Sequence, residues 1–135
     1  MQEDNNIFIH TVRIYQEDVD SGGIVYHSHY LKYAERARSE WLRQMGLEQS
    51  TLKMEQNCHF VVTHIDIKYK SPACLDDLLE IKSGPCYIQG IRLIMSQKIF
   101  TKERMCVDIL VTLALINNDG KPVRLPGSIL KISQL

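Results

Sequence analysis

The chain has 135 residues, the usual size of one domain, with 44% hydrophobic and 24% charged residues, values that exclude wholesale disorder. Sixteen Lys and Arg balance sixteen Asp and Glu, so the formal net charge is zero. A general nucleic-acid binder or a polybasic membrane-docking protein needs a basic excess to displace counterions or meet anionic lipid, and none is present.

The N-terminus, Met-Gln-Glu-Asp-Asn-Asn, has no basic stretch leading into an apolar segment and does not read as a secretory signal. Residues 7–15 alternate as a strand, with Phe8, His10, Val12 and Ile14 on one face and Thr11, Arg13 and Tyr15 on the other. A loop over 16–26 follows, with Gly22-Gly23 at its centre. Over 28–45, Tyr30, Tyr33, Ala34, Ala37, Trp41 and Met45 recur at helical spacing, and Gly46 is placed as the stop. A short second helix is expected over 48–56.

The remainder reads as strands. Residues 59–70 alternate Val61, Thr63, Ile65, Ile67 and Tyr69 against Val62, His64, Asp66, Lys68 and Lys70, and Pro72 ends the run. Segments 78–87, 91–102 and 104–116 follow as a meander, and Asn117-Asn118-Asp119-Gly120 signals a turn. One long helix beside long antiparallel strands predicts an α+β domain spanning 1–135, with the apolar face of the sheet on the helix. The longest apolar run, 109–116 broken by Thr112, is too short to cross a bilayer, so a cytoplasmic chain without a membrane span is expected. Cys58, Cys74, Cys86 and Cys106 form no C-x-x-C pair and read as reduced, buried thiols.

The chemistry concentrates in Tyr15-Gln16-Glu17-Asp18-Val19-Asp20-Ser21-Gly22-Gly23-Ile24-Val25-Tyr26-His27-Ser28-His29-Tyr30. A helix start presents unpaired N–H groups suited to a developing oxyanion, and the glycines permit close backbone approach. Asp18 and Asp20 are candidate bases or nucleophiles. The same residues also suit an ordinary turn and N-cap, and His27, His29, Asp18 and Asp20 are all possible metal ligands, although His-x-His is a weak signal there.

This segment resembles the signature of the YbgC-like and 4-hydroxybenzoyl-CoA thioesterases of the hotdog-fold superfamily. The resemblance continues through Tyr30-Leu31-Lys32-Tyr33-Ala34-Glu35-Arg36-Ala37-Arg38-Ser39-Glu40, Phe60-Val61-Val62, Tyr69-Lys70-Ser71-Pro72-Ala73 and Leu75-Asp76-Asp77-Leu78-Leu79-Glu80-Ile81. It reaches Lys121-Pro122-Val123-Arg124-Leu125-Pro126. What it implies is a long helix wrapped by a curved antiparallel sheet, assembled as a homodimer or homotetramer, with hydrolysis of an acyl-CoA thioester and neither cofactor nor metal.

By the resemblance, Asp20 matches the catalytic aspartate, and His27 a functional histidine whose backbone N–H lies where the thioester carbonyl is polarised. Gly22, Gly23 and Tyr26 are then expected to bind substrate. The branch often carries tyrosine where this chain has Gln16, with Tyr15 next to it. Asp18 is expected to brace the loop and Glu35 to pair with another element, while His29 is open between structural and functional roles. His64 reads as a satisfied or exposed histidine.

Local charge is uneven. Residues 1–20 carry Glu3, Asp4, Glu17, Asp18 and Asp20 against Arg13, whereas residues 91–104 carry Arg92, Lys98, Lys102 and Arg104 against Glu103. These later cations, with Lys121, Arg124 and Lys131, are candidates for CoA phosphates, Arg92 and Arg124 foremost. Two other classes stay open: a non-catalytic acyl-CoA or acyl-carrier-protein binding module, and an interaction protein of the cell envelope, because YbgC-like proteins accompany the Tol-Pal system. A chain of this length suffices for one hotdog subunit but not for a complete site, so a partner subunit is expected.

Overall fold

A computed structural model describes residues 7–131 of the chain. Glu3 and Asp4, part of the acidic N-terminal stretch, lie outside the described residues. Strand β1 (Phe8–Arg13) alternates half-buried and exposed positions in the expected phase, with Phe8, His10 and Val12 inward. After a single 3-10 turn over Gln16–Asp18, which no sequence pattern announced, the chain loops into α1 (His29–Gln44). Tyr30, Tyr33, Ala34, Ala37, Trp41 and Leu42 form its buried stripe. Gly46, at φ +76, stops the helix in the left-handed conformation that a residue without Cβ adopts at little cost.

Helix α2 (Gln49–Gln56) leads through Asn57 into β2 (Cys58–Tyr69), followed by β3 (Leu78–Gln89), β4 (Arg92–Thr101), β5 (Arg104–Asn117) and β6 (Pro122–Val123). A short α3 (Gly127–Leu130) follows. The five long strands are ordered β1-β3-β4-β5-β2, every pairing is antiparallel, and β6 adds to β5. The meander β3-β4-β5 is as expected. The sheet's buried face and the stripe of α1 share one core, which includes Ile14, Leu79, Ile81, Leu93, Met95, Ile99, Ile109 and Val111.

Strand β2 does not keep a single alternation: Cys58 and Phe60 are buried before residue 63, and Ile65 and Ile67 turn inward after it. The register shifts between Val62 and His64, where β5 advances from Leu113 to Thr112 only. Thr63 is thus the extra residue of a bulge, which exchanges the faces of the strand; its hydroxyl donates to the Thr112 carbonyl at 3.3 Å.

The cysteines are all free, and Cys58, Cys86 and Cys106 are buried as expected. Cys74 is instead exposed, because it lies in the connection between β2 and β3, bridged only to Ile24. Among the described residues no helix is long and apolar enough to cross a membrane.

Candidate active site

The loop ahead of α1 is fixed by its own backbone and by the connection between β2 and β3. Val19 bridges to Val25, Ile24 bridges to Cys74, and the Val25 N–H donates to the Ala73 carbonyl at 2.9 Å. Within this frame Asp20 folds back on the glycine pair. Its Oδ1 accepts the Gly22 N–H at 2.8 Å and the Ile24 N–H at 3.4 Å, and its carbonyl accepts the Gly23 N–H at 3.0 Å. Gly23 sits at φ +83, so the turn that aims Asp20 is one that other residues adopt only with strain. A Cβ on Gly22 would meet Asp20 Oδ1 at 3.4 Å, ordinary contact at the close limit. Among the described residues the second carboxylate oxygen, Oδ2, has no partner, and Asp20 is exposed.

Across the loop, the helix start leaves donors free. The His29 N–H is used by the Tyr26 carbonyl, but no described residue accepts from the N–H groups of His27 or Ser28. Such orphan donors carry the partial positive charge of the helix terminus. His27 is held from behind: the Tyr69 hydroxyl donates to its carbonyl at 3.2 Å. Its ring lies between Tyr26, at a centroid distance of 4.6 Å, and Tyr69, at 6.3 Å. Tyr26 is half-exposed at the mouth of this arrangement.

Asp18 differs from Asp20 in burial and in the use of both carboxylate oxygens. It is buried, its Oδ2 accepts the Tyr15 N–H at 2.8 Å, its Oδ1 faces His29 Nδ1 at 3.2 Å, and its carbonyl accepts the Tyr26 N–H at 3.0 Å. Burial alone would raise its pKa. The Tyr15 N–H, the facing Tyr33 hydroxyl and His29 outweigh that effect and hold the carboxyl below its ordinary value. Burial first, and the close approach of the Asp18 carboxylate second, push the Tyr33 phenol well up, although its buried oxygen falls outside hydrogen-bonding geometry with any described residue. The expected bracing geometry of Asp18 is therefore present.

The structure brings Asp20, Gly22, Gly23, Tyr26 and His27 together in one loop and separates two other candidates from them. Tyr69, which touches His27, pairs with Val107 of β5, whereas Arg92 pairs with Ala114 and Arg124 follows Val123, the partner of Leu115. From Val107 to Ala114 the strand covers about 23 Å at 3.3 Å per residue, so both arginines lie at the opposite end of the sheet. Both are exposed.

Glu35 does not pair with another element: it is exposed and makes no ion pair or hydrogen bond with a described residue. His64 is exposed on β2. Gln16 and Tyr15 are both exposed at the 3-10 turn, and the Tyr15 N–H rather than its phenol serves the loop. No three His, Cys, Asp or Glu side chains among the described residues converge as a metal site would require.

Two contributors escaped sequence reasoning. Tyr69 supports His27 from 42 residues away. The buried Tyr30 hydroxyl accepts the Ala73 N–H at 3.1 Å and ties the helix to the connection that holds Val25. Strand alternation marked Tyr69 only as a face residue, and helical spacing marked Tyr30 only as core.

Residues 14–132 match the family model described as the thioesterase-like superfamily. The acyl-CoA thioesterase YbgC of Haemophilus influenzae is 37% identical over 126 residues, 93% of each chain. The acyl-CoA thioester hydrolase YbgC of Escherichia coli O6:H1 is 38% identical over 125 residues, 91% of this chain and 92% of that one. A crystal structure of a probable thioesterase from Bartonella henselae, 41% identical, superposes with a TM-score of 0.85 over 89% of this chain and 99% of the other. With a family match over most of its length and such relatives, the chain belongs to the thioesterase-like superfamily of hotdog proteins.

Proposed function

We propose that this chain hydrolyses acyl-CoA thioesters, with Asp20 as the reacting carboxylate. The YbgC relatives support the reaction class. The observation that carries the assignment to residues is the pairing of unused valences across one loop. Asp20 keeps Oδ2 without a partner while its Oδ1 is tied down, and the helix start keeps the His27 and Ser28 N–H groups without acceptors.

In the proposed mechanism the thioester carbonyl oxygen accepts hydrogen bonds from those N–H groups. They strengthen as negative charge develops on that oxygen, so they favour the transition state over the bound substrate. Asp20 Oδ2 then attacks the carbonyl carbon. The tetrahedral adduct collapses with cleavage of the carbon–sulfur bond, releasing CoA thiolate and leaving an acyl-aspartyl anhydride, which water opens to free acid and carboxylate. The alternative route uses the same geometry: Oδ2 takes a proton from water as that water attacks the carbonyl. The His27 ring, tilted against Tyr26 and edge-on to Tyr69, is assigned to a wall of the site.

We place the activity in the cytoplasm, in a homodimer or homotetramer. Because Arg92 and Arg124 lie at the far end of the sheet from Asp20, we assign any contact of these cations with CoA phosphates at this site to a second copy. A panel of short, long and aromatic acyl-CoAs, with acyl carrier protein esters beside them, tests the reading by release of free thiol. Wild-type protein is expected to turn over at least one acyl-CoA, and Asp20→Asn to lose that activity while folding normally. Full activity in the variant removes Asp20 from the mechanism. Tight binding of acyl-CoA or acyl carrier protein without turnover replaces the hydrolase with a binding module.

A further inference from the structure

We propose that Asp18 and His29 form a positioning pair that locks the loop bearing Asp20 to the helix start bearing the free N–H donors. This rests on the hydrolase reading above. The two halves of the site belong to different local structures: Asp20 is held by an Asx-type turn on Gly22, and the His27 and Ser28 N–H groups by the geometry of the helix terminus. Their relative placement is therefore set by whatever spans the loop. Backbone bonds of Val19 with Val25, Asp20 with Ile24 and Tyr26 with Asp18 span its neck, and Asp18 and His29 add the side-chain tie to the helix, 11 residues apart in sequence and 3.2 Å apart between Oδ1 and Nδ1.

Each member stands two residues from a group assigned to the chemistry, Asp18 from Asp20 and His29 from His27. The anchoring of Asp18 is complete, because Oδ2 is taken by the Tyr15 N–H, and its carbonyl takes the Tyr26 N–H. His29 is fixed in turn by edge-on contacts of its ring with Tyr26, at a centroid distance of 6.1 Å, and with Tyr33, at 6.3 Å.

The chemistry of the contact dictates the state of the ring. An ionised carboxylate only accepts hydrogen bonds, so His29 Nδ1 must carry a proton, either in the imidazolium or in the neutral Nδ1–H tautomer. In either form the ring donates to Asp18 through the same nitrogen, as a brace requires. Neither residue touches the reacting atoms in this scheme. A misplacement on the order of 1 Å between nucleophile and oxyanion donors costs about 100-fold in rate, and so the brace acts on kcat.

The test compares His29→Asn with His29→Leu. The amide nitrogen of asparagine overlays Nδ1 and can still donate to Asp18; leucine fills the space without a donor. His29→Leu is expected to lose about 10- to 100-fold in kcat with KM changed much less, and His29→Asn to recover most of that loss. Nitrogen-15 NMR of the neutral imidazole is expected to show the Nδ1–H tautomer in wild type and its loss in Asp18→Ala. Wild-type kcat in His29→Leu, or an Nε2–H ring in the wild-type protein, overturns the inference. If wild type turns over no acyl-CoA while the ring stays Nδ1–H only with Asp18 intact, the hydrolase reading fails and the brace survives as the tie across the loop.

Discussion

Two polar constellations are built on α1, and they use hydrogen bonds in opposite ways. Under the middle of the helix, Gln97 is fully buried in β4. Its Nε2 donates to the Ala34 carbonyl at 2.9 Å and to Ser83 Oγ at 3.0 Å, and its Oε1 accepts from Arg38 Nη1 at 2.8 Å. Burial pulls the Arg38 guanidinium down from its ordinary pKa. Every polar atom of the Gln97 amide has a protein partner, as a low-dielectric interior demands. At the N-terminus of the same helix, Asp20 Oδ2 and two backbone N–H groups have none among the described residues. A saturated network can only hold the fold together; one that keeps valences in reserve at an open position can bind and react. This contrast locates the site more sharply than residue type does, since both constellations contain charged and amide groups.

The largest expected effects separate the two. Asp20→Asn keeps the Oδ1 acceptor for the Gly22 and Ile24 N–H groups, so the urea midpoint is expected to stay put while kcat falls about 10²- to 10⁴-fold, the range for loss of a positioned base or nucleophile. Gln97→Leu is the converse. It strands a half-buried Arg38 donor and a buried Ser83 hydroxyl, and should cost about 2–4 kcal/mol in urea unfolding. The kcat of its folded fraction should stay within about threefold of wild type. If Gln97→Leu lost activity in proportion to Asp20→Asn, the saturated network would have to be counted as part of the site.

Most of the architecture was legible because it rests on periodicity. The stripe Tyr30, Tyr33, Ala34, Ala37 and Trp41 is written at helical spacing and is buried as such. β1 keeps its phase throughout. The bulge at Thr63 was not legible, since Val61, Val62 and Thr63 all suit either face and the extra residue is defined only by what β5 offers opposite it. The site divides in the same way. Asp20, Gly22, Gly23 and His27 lie within eight consecutive positions and could be recognised as a unit. Tyr69 and Ala73 enter only through tertiary pairing, and the separation of Arg92 and Arg124 from Asp20 follows from the strand order β4-β5-β2, which no local pattern contains.

A smaller effect probes how tightly the reactive end is held. Gly23 adopts φ +83 with nothing within 4 Å of where a Cβ would stand, so Gly23→Ala introduces backbone strain without a clash. The expected cost is about 1 kcal/mol in urea unfolding. A loss several times larger would mean that the loop is coupled to the core as closely as Gln97 is, and the contrast between the two ends of the helix would weaken.

The smallest effect is also the most specific in pH. Asp18 belongs to the reactive end by position but is buried and fully bonded like the network under the helix, and so it stands between the two types. Its carboxyl is held below the ordinary value of 3.8, with burial opposing the hydrogen bonds, so the net stabilisation is modest. A carboxyl depressed in the folded state stabilises fully above its unfolded pKa and loses that contribution as pH falls through the folded value. The gap in stability between wild type and Asp18→Asn should therefore be open at neutral pH and close in acid, below about pH 4. Urea midpoints measured from neutral pH down to about pH 2.5 follow this closure. A gap unchanged over that range would show that Asp18 stabilises through shape and neutral hydrogen bonding. The charge of the carboxylate would then contribute nothing to holding the loop against the helix.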